Sequence, residues 1–172
     1  NVGSPCQPND YQPLETPLGP VVHKRIGAAG GRPTNGDLCY FNLEWPGAGV
    51  IIALGWPGQW AAHFLREDGA GVRVVAGQEQ TRFVLHPGEQ VRTPLAVLLF
   101  WEGGDWIRAQ NLWRRWMMAH SMPKPGGKLP PPQFVASSSR AYEEMIKANE
   151  QNQIMHIDRY LAEGLKIDYW WM

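Results

Sequence analysis

The sequence predicts an antiparallel β-sandwich that is followed by a linking helix and then by the opening of a parallel α/β domain. Short apolar segments recur between residues 38 and 101 at the spacing of about 8–12 residues that is typical of sandwiches. Helical periodicity follows at 105–121, and residues 124–132 form a linker rich in proline and glycine. Residues 133–172 then show a strand–helix–strand pattern, which predicts a βαβ unit with parallel strands.

The first half of the chain is interpreted as strands and turns. Residues 1–20 are rich in proline, asparagine and glycine, and we expect them to form a loop. Val21–Ile26 is a short candidate strand, and Gly27–Asp37 is predicted to be a glycine-rich loop that lacks the spacing of a phosphate-binding motif. Six further strands are predicted between turns at Pro-Gly and Asp-Gly pairs, at Leu38–Trp45, Gly49–Leu54, Trp60–Arg66, Val72–Ala76, Thr81–Leu85 and Val91–Trp101.

The linking helix carries an aromatic stripe. Asp105 is predicted to be its N-cap, because a carboxylate at that position accepts hydrogen bonds from the free N–H groups of the first turn. Trp106, Trp113 and Trp116 recur at helical spacing, so we expect these three side chains to pack the helix against the sheet.

The second half of the chain has a different pattern. Gln133–Ser138 is predicted to be a strand, and Arg140–Ala162 a helix with a break near Asn149. Gly164 suits the position that follows a helix, since glycine readily adopts the left-handed conformation found there. Leu165–Met172 is the second predicted strand, and it is apolar enough to be buried on both faces.

Composition excludes several classes of function. Sixteen basic and sixteen acidic residues cancel without a run of Lys or Arg, so neither a nucleic acid nor an anionic membrane is an expected partner. The longest apolar run is shorter than the roughly 20 residues of a membrane-spanning helix. Cys6 and Cys39 have no CxxC spacing and the histidines are scattered, so no metal site and no cofactor are predicted. The two cysteines are either free thiols or one disulfide.

One turn brings two tryptophans together within the segment Ile51–Phe64. Trp56 and Trp60 lie on a Gly-Trp-Pro-Gly-Gln-Trp sequence whose glycines and proline favour a tight turn. If exposed, the two indoles would offer a flat apolar surface to a sugar ring; if buried, they would pack in the core. A sugar platform would make the chain a non-catalytic carbohydrate-binding β-sandwich, and this is the alternative to an enzyme.

Several motifs, taken in chain order, carry a resemblance to a known family. After the tryptophan turn come Pro87–Glu89, the strand Thr93–Phe100 and the helix Gly104–His120. In this order they resemble the N-terminal region of glycoside hydrolase family 36, the α-galactosidases and relatives of clan D. The segment Ile167–Met172 resembles the second barrel strand of that family, and the resemblance covers residues 37–172.

The resemblance implies a fold and an activity. The family joins a supersandwich-like β-sandwich to a (β/α)₈ barrel, so residues 1–123 would be the sandwich with its linking helix and residues 133–172 the first βαβ unit of a truncated TIM barrel. It implies a retaining hydrolase of terminal α-galactosides in oligo- or polysaccharides, which needs no cofactor. The family's two catalytic aspartates lie on later barrel strands. Both are therefore expected beyond Met172, and this chain is expected to be an inactive fragment.

The resemblance also implies where substrate would bind. In the family a loop of the sandwich reaches over the active-site face of the barrel, so Asn35 and Asp37 would hydrogen-bond sugar hydroxyls; turn formation is the alternative for both. Ser138 and Trp171 would lie on the substrate face at the ends of the first two barrel strands. Serine stands where the family often has a bulky residue, so the sugar specificity stays open. The sandwich would also provide homo-oligomer contacts in the full enzyme.

Overall fold

The structure, a computed structural model, describes residues 14–69, 71–138 and 146–171. These residues fall into two compact units, divided between His120 and Ser121. The strands of the first unit are β1 (Val22–Ala29), β2 (Arg32–Gly36), β3 (Tyr40–Trp45), β4 (Ala48–Gly55), β5 (Trp60–Arg66), β6 (Arg73–Gln78) and β7 (Leu95–Glu102), followed by helix α1 (Trp106–His120). The second unit contains a 3₁₀ turn (Pro125–Gly127), strand β8 (Val135–Ser137), helix α2 (Glu150–Ala162) and strand β9 (Tyr169–Trp171).

The first unit is built from two antiparallel sheets, which confirms the predicted β-sandwich. Within the described residues, the strand orders are β2-β1-β5-β6 and β3-β4-β7. Every strand pair in both sheets is antiparallel. An apolar cluster joins the sheets, because Leu54 of β4 and Phe41 of β3 pack with Ala62 and Phe64 of β5.

The central strand β4 is buried on both faces. Leu54 belongs to the cluster between the sheets, whereas Ile51 and Ala53 belong to a second cluster that includes Trp113 of α1. Successive side chains of a strand point to opposite faces. Alternate side chains of β4 therefore contact the other sheet, and the side chains between them contact the helix. The first unit therefore has three layers: a sheet, a second sheet and a helix.

Among the described residues, strand β7 is packed on one face and exposed on the other. Val97, Leu99 and Trp101 pack in the cluster under helix α1. Leu98 and Phe100 alternate with them and are 57% and 67% exposed. An apolar strip is therefore left open on this side of the sheet.

Helix α1 begins as predicted. Asp105 Oδ1 accepts hydrogen bonds from the backbone N–H groups of Ile107 and Arg108 at 3.0 and 3.2 Å, so this residue is the N-cap. Trp113 is buried and stacks on Trp116 with ring centroids 5.1 Å apart. Trp106 is 41% exposed, so the expected packing against the sheet is correct for two of the three tryptophans and wrong for this one.

Two predictions for the sandwich are wrong. Thr81–Leu85 is not a strand: residues 79–94 are turns and coil, and Phe83 and Val84 are exposed. Alternation alone does not make a strand, since a strand also needs a neighbour for its backbone N–H and C=O groups. Gly27–Asp37 is not a loop, because β1 extends to Ala29 and β2 begins at Arg32.

The hairpin between β1 and β2 is closed by two glycines. Ala29 pairs with Arg32, so Gly30 and Gly31 alone form the connection. Their φ angles are 61° and 73°, and a two-residue turn with positive φ at both positions has the twist that matches a hairpin. Glycine adopts these angles without the steric cost that a Cβ atom would add.

In the second unit, β8 and β9 are parallel, as the strand–helix–strand pattern predicts. Val135 pairs with Tyr169 and Ser137 pairs with Trp171. Both strands are shorter than the predicted ranges, and a closed barrel is not seen among the described residues. The first part of the predicted helix, residues 140–145, lies outside the described residues, as does Met172.

Helix α2 has well-defined ends. It begins after Asn149, near the predicted break, and the side chains of Asn149 and Asn152 each accept a hydrogen bond from the other's backbone N–H. At its end, Gly164 N–H donates to Leu161 O and Leu165 N–H donates to Tyr160 O. This is the Schellman arrangement, and it confirms the predicted place of Gly164. Neither described helix is long and apolar enough to cross a bilayer.

Candidate functional site

The glycine hairpin and the tryptophan turn are joined by hydrogen bonds. Gly31 N–H donates to Gln59 Oε1 at 3.1 Å, and Gln59 Nε2 donates to Ala28 O at 2.7 Å. Trp60 Nε1 donates to Pro33 O at 2.6 Å. Two segments that lie about 30 residues apart in the chain are thereby held as one polar corner of the sandwich.

Asn35 and Asp37 lie on this corner, and each uses one side-chain atom to hold its own hairpin. Asp37 Oδ2 accepts a hydrogen bond from Gly27 N–H at 2.9 Å, and Asn35 Nδ2 donates to Ala29 O at 3.2 Å. Among the described residues, no side-chain hydrogen bond is found at Asn35 Oδ1 or Asp37 Oδ1. Both residues therefore stabilise the turn, and the expected contact with sugar hydroxyls stays a prediction that rests on the remaining oxygens.

Trp60 offers no surface to a ligand. Its side chain is fully buried and stacks on Phe41 with ring centroids 6.3 Å apart. Trp56 is partly buried and packs against the same apolar cluster. A Cβ at Gly58 would lie 3.0 Å from Trp56 Nε1, so the turn folds closely over this indole. The pair anchors the tryptophan turn to the core, which is the second of the two interpretations that the sequence left open.

A charged group beside this corner was missed by sequence reasoning. One guanidinium nitrogen of Arg25 lies 2.7 Å from both carboxylate oxygens of Glu79, and Gln59 Nε2 donates to Glu79 Oε2 at 2.9 Å. The hydrogen bond from Arg25, followed by that from Gln59, lowers the pKa of Glu79 below its ordinary value. These residues come from three different strands and turns, so no local spacing indicates the cluster.

In the second unit, the carboxyl ends of β8 and β9 carry Ser138 and Trp171. Ser138 is buried, and its Oγ accepts a hydrogen bond from Gln153 Nε2 at 3.2 Å. Gln153 Oε1 in turn accepts from Trp170 Nε1 at 2.9 Å. One glutamine of α2 thus ties the helix to the ends of both parallel strands, at the edge where ligands of parallel α/β folds bind.

The aromatic residues at this edge differ in exposure. Trp171 is 70% exposed, whereas Trp170 is partly buried and contacts Tyr160 of α2 with ring centroids 5.9 Å apart. This fits the alternation of a strand, in which neighbouring side chains point to opposite faces. Trp171 therefore presents an open indole, and its contact with substrate stays a prediction.

Three aspartates in the described part of the chain accept hydrogen bonds from the backbone. Asp37 and Asp105 accept from the N–H groups described above, and Asp168 Oδ2 accepts from Phe134 N–H at 2.7 Å. A carboxylate committed to backbone amides stabilises a turn or strand end, and it is poorly placed to donate or accept a proton in catalysis. No catalytic residue is therefore assigned among these three.

The described part of the chain contains one cysteine, and it contains no cluster of three or more metal-ligating side chains. Cys39 is a free thiol, and partial burial raises its pKa, which lowers the fraction of reactive thiolate. Cys6, the other cysteine, lies outside the described residues. No group of three or more His, Cys, Asp or Glu side chains that could hold a metal ion is found among the residues with a described placement.

Comparison with known proteins adds no family to this geometry. No protein-family model, no curated protein and no solved structure matches the chain.

Proposed function

We propose that this chain is part of a retaining glycoside hydrolase similar to the α-galactosidases of family 36, which acts on terminal α-galactosides. The order of its elements carries the proposal. An antiparallel sandwich ends in helix α1, which packs on the sandwich, and a proline-rich segment then leads to the parallel pair β8 and β9 with helix α2 between them in sequence. A carbohydrate-binding module has no need of this last unit.

In this proposal β8 and β9 are the first two strands of a (β/α)₈ barrel. Substrates of such barrels bind at the carboxyl ends of the strands, where Ser138 and Trp171 lie. The exposed indole of Trp171 would stack on the apolar face of a sugar ring. Ser138 would act indirectly, since its hydroxyl is already bonded to Gln153 and helps to position that edge.

In this proposal the reaction uses two aspartates that would lie downstream of residue 172. One attacks the anomeric carbon and displaces the leaving oxygen, while the other protonates that oxygen and later activates water. The carboxyl groups of a retaining pair are about 5–5.5 Å apart. Asp37, Asp105 and Asp168 instead accept hydrogen bonds from backbone amides, which supports a scaffolding role for this part of the enzyme.

The decisive experiment compares two proteins. The complete product of the reading frame should release nitrophenol from 4-nitrophenyl α-galactoside, and NMR should detect α-galactose as the first product because configuration is retained. The 172-residue chain is the matched control and should release none. Activity of the short chain, or inactivity of the complete product towards this substrate and α-galactosyl oligosaccharides, would contradict the proposal.

The alternative, a carbohydrate-binding sandwich, is tested on the short chain. Its platform required both tryptophans of the turn, and the burial of Trp60 removes one of them. We therefore expect millimolar galactose to leave the tryptophan fluorescence of the 172-residue chain unchanged. Quenching that is abolished by Trp56→Ala would favour the binding module instead.

A further inference from the structure

Two histidines meet on the outer face of the four-stranded sheet. His23 of β1 and His63 of β5 lie on adjacent antiparallel strands, where His23 pairs with Leu65 and Arg25 pairs with His63. The two imidazoles are therefore diagonal neighbours on one face. His23 Nε2 and His63 Nδ1 are 2.9 Å apart, and the ring centroids are separated by 5.2 Å.

The face that carries these rings is open. The alternate residues of the same strands, Ile26 and Ala28 of β1 with Ala62 and Phe64 of β5, pack in the core between the sheets. Because side chains alternate along a strand, the histidines point away from that core, and their contact is exposed. The imidazole pair is therefore accessible to an ion from solvent.

The geometry points to a binding site for a divalent transition-metal ion, with His23 Nε2 and His63 Nδ1 as its two protein ligands. Imidazole nitrogens bind such ions at about 2.0–2.1 Å, so two nitrogens 2.9 Å apart subtend an angle of about 90° at the metal. A tetrahedral site would require the nitrogens to be about 3.3 Å apart at the same bond length. The right angle favours the square-planar or octahedral preference of Cu²⁺ and Ni²⁺ over that of Zn²⁺.

Binding needs a change of tautomer but no net loss of a proton. A neutral imidazole carries one N–H, and in the hydrogen-bonded pair one of the two facing nitrogens bears it. When the metal binds, that proton moves through water to the far nitrogen of the same ring. His23 then holds its proton on Nδ1 and His63 holds its proton on Nε2, while water completes the coordination.

The charged residue next to the histidine pair is already paired with an opposite charge. Arg25, the cross-strand partner of His63, is bound to Glu79, so its positive charge is largely compensated. The site is independent of the glycosidase proposal, because no step of that reaction uses it.

The test measures Ni²⁺ binding to the 172-residue chain by calorimetry at pH 7.5 in a non-coordinating buffer. We expect one ion per chain, and at least tenfold weaker binding to His23→Ala and to His63→Ala. His86→Ala is the matched control, since His86 is also exposed but lies outside the sheet, and its binding should equal that of the parent chain. Equal affinity of all four proteins would overturn the proposal.

Two further measurements keep the test independent of folding defects. Saturating Ni²⁺ should raise the melting temperature of the parent chain, since an ion that binds only the folded state stabilises it, and should not raise that of the two sheet variants. With Cu²⁺, the electron paramagnetic resonance spectrum of the parent chain should show coupling to two imidazole nitrogens. Coupling to a single nitrogen would overturn the proposal even if the variants fail to fold.

Discussion

The two units of this chain are held together by different forces. The sandwich has two apolar clusters, one between its sheets and one under helix α1. In the described residues of the second unit, the buried side chains are Ala136, Ser138 and Gln153. The first unit is therefore stabilised mainly by apolar burial, and the second depends on a chain of hydrogen bonds through one glutamine.

The difference follows from how many layers cover each sheet. Strand β4 is covered by a sheet on one face and by a helix on the other, so its residues from Val50 to Leu54 are all buried. Parallel sheets are normally buried on both faces as well, yet Val135, Tyr169 and Trp171 of the parallel pair are exposed. In the proposed enzyme, further strands and helices of the barrel would cover these side chains.

The largest expected effect comes from the core of the sandwich. Trp60→Ala removes a fully buried indole that also donates to Pro33 O, and a substitution of this kind costs about 3–5 kcal/mol. Trp106→Ala, at an exposed tryptophan of α1, is the matched control and should cost much less. Urea titration followed by circular dichroism measures both. Equal losses of unfolding free energy in the two variants would mean that burial does not distinguish the two positions.

A smaller effect is expected from the hydrogen-bond chain of the second unit. Gln153→Leu leaves the Ser138 hydroxyl and the Trp170 indole N–H without this partner, at a cost of about 1–3 kcal/mol. Hydrogen exchange should become faster at β8 and β9 and stay unchanged at β4 and β5. Gln151→Leu, at an exposed position of the same helix, is the control. Faster exchange in the control as well would assign the effect to the helix rather than to the bonds.

The smallest expected effect is a pH dependence of the stability of the sandwich. Because Arg25 and Gln59 lower the pKa of Glu79 in the folded state, the ionised carboxylate stabilises the fold above its ordinary pKa of 4.5. This contribution is lost as the pH falls through the folded pKa. The group is largely solvated, so removing it by Glu79→Gln should cost no more than about 1 kcal/mol at neutral pH.

The measurement compares the free energy of unfolding of Glu79→Gln with that of the parent chain along an acid titration. The difference should shrink towards zero as the carboxylate of the parent is protonated, and added salt should reduce it at neutral pH. A difference that is constant with pH would show that the charge of Glu79 contributes nothing to stability.

Much of the fold could be predicted because its signals are local. Asp105 caps α1 and Gly164 ends α2 through bonds to residues that are only a few positions away. The candidate site was predicted less well. Asn35 and Asp37 do lie on one hairpin, and Ser138 and Trp171 do lie at the ends of the parallel strands, but no sequence signal indicated Gln153. A single polar residue in a helix looks the same whether it is buried or exposed.

The sequence by itself determined most of the strands, the two helices, the antiparallel first unit and the parallel second one, because periodicity, turns and caps depend on near neighbours. Only the tertiary structure decided that Trp60 is buried, that Thr81–Leu85 has no strand to pair with, and that the histidines meet. His23 and His63 are 40 positions apart in the chain, so their contact depends on the pairing register of β1 and β5. Such a register is set by the packing of the whole sheet, and no short segment of sequence contains it.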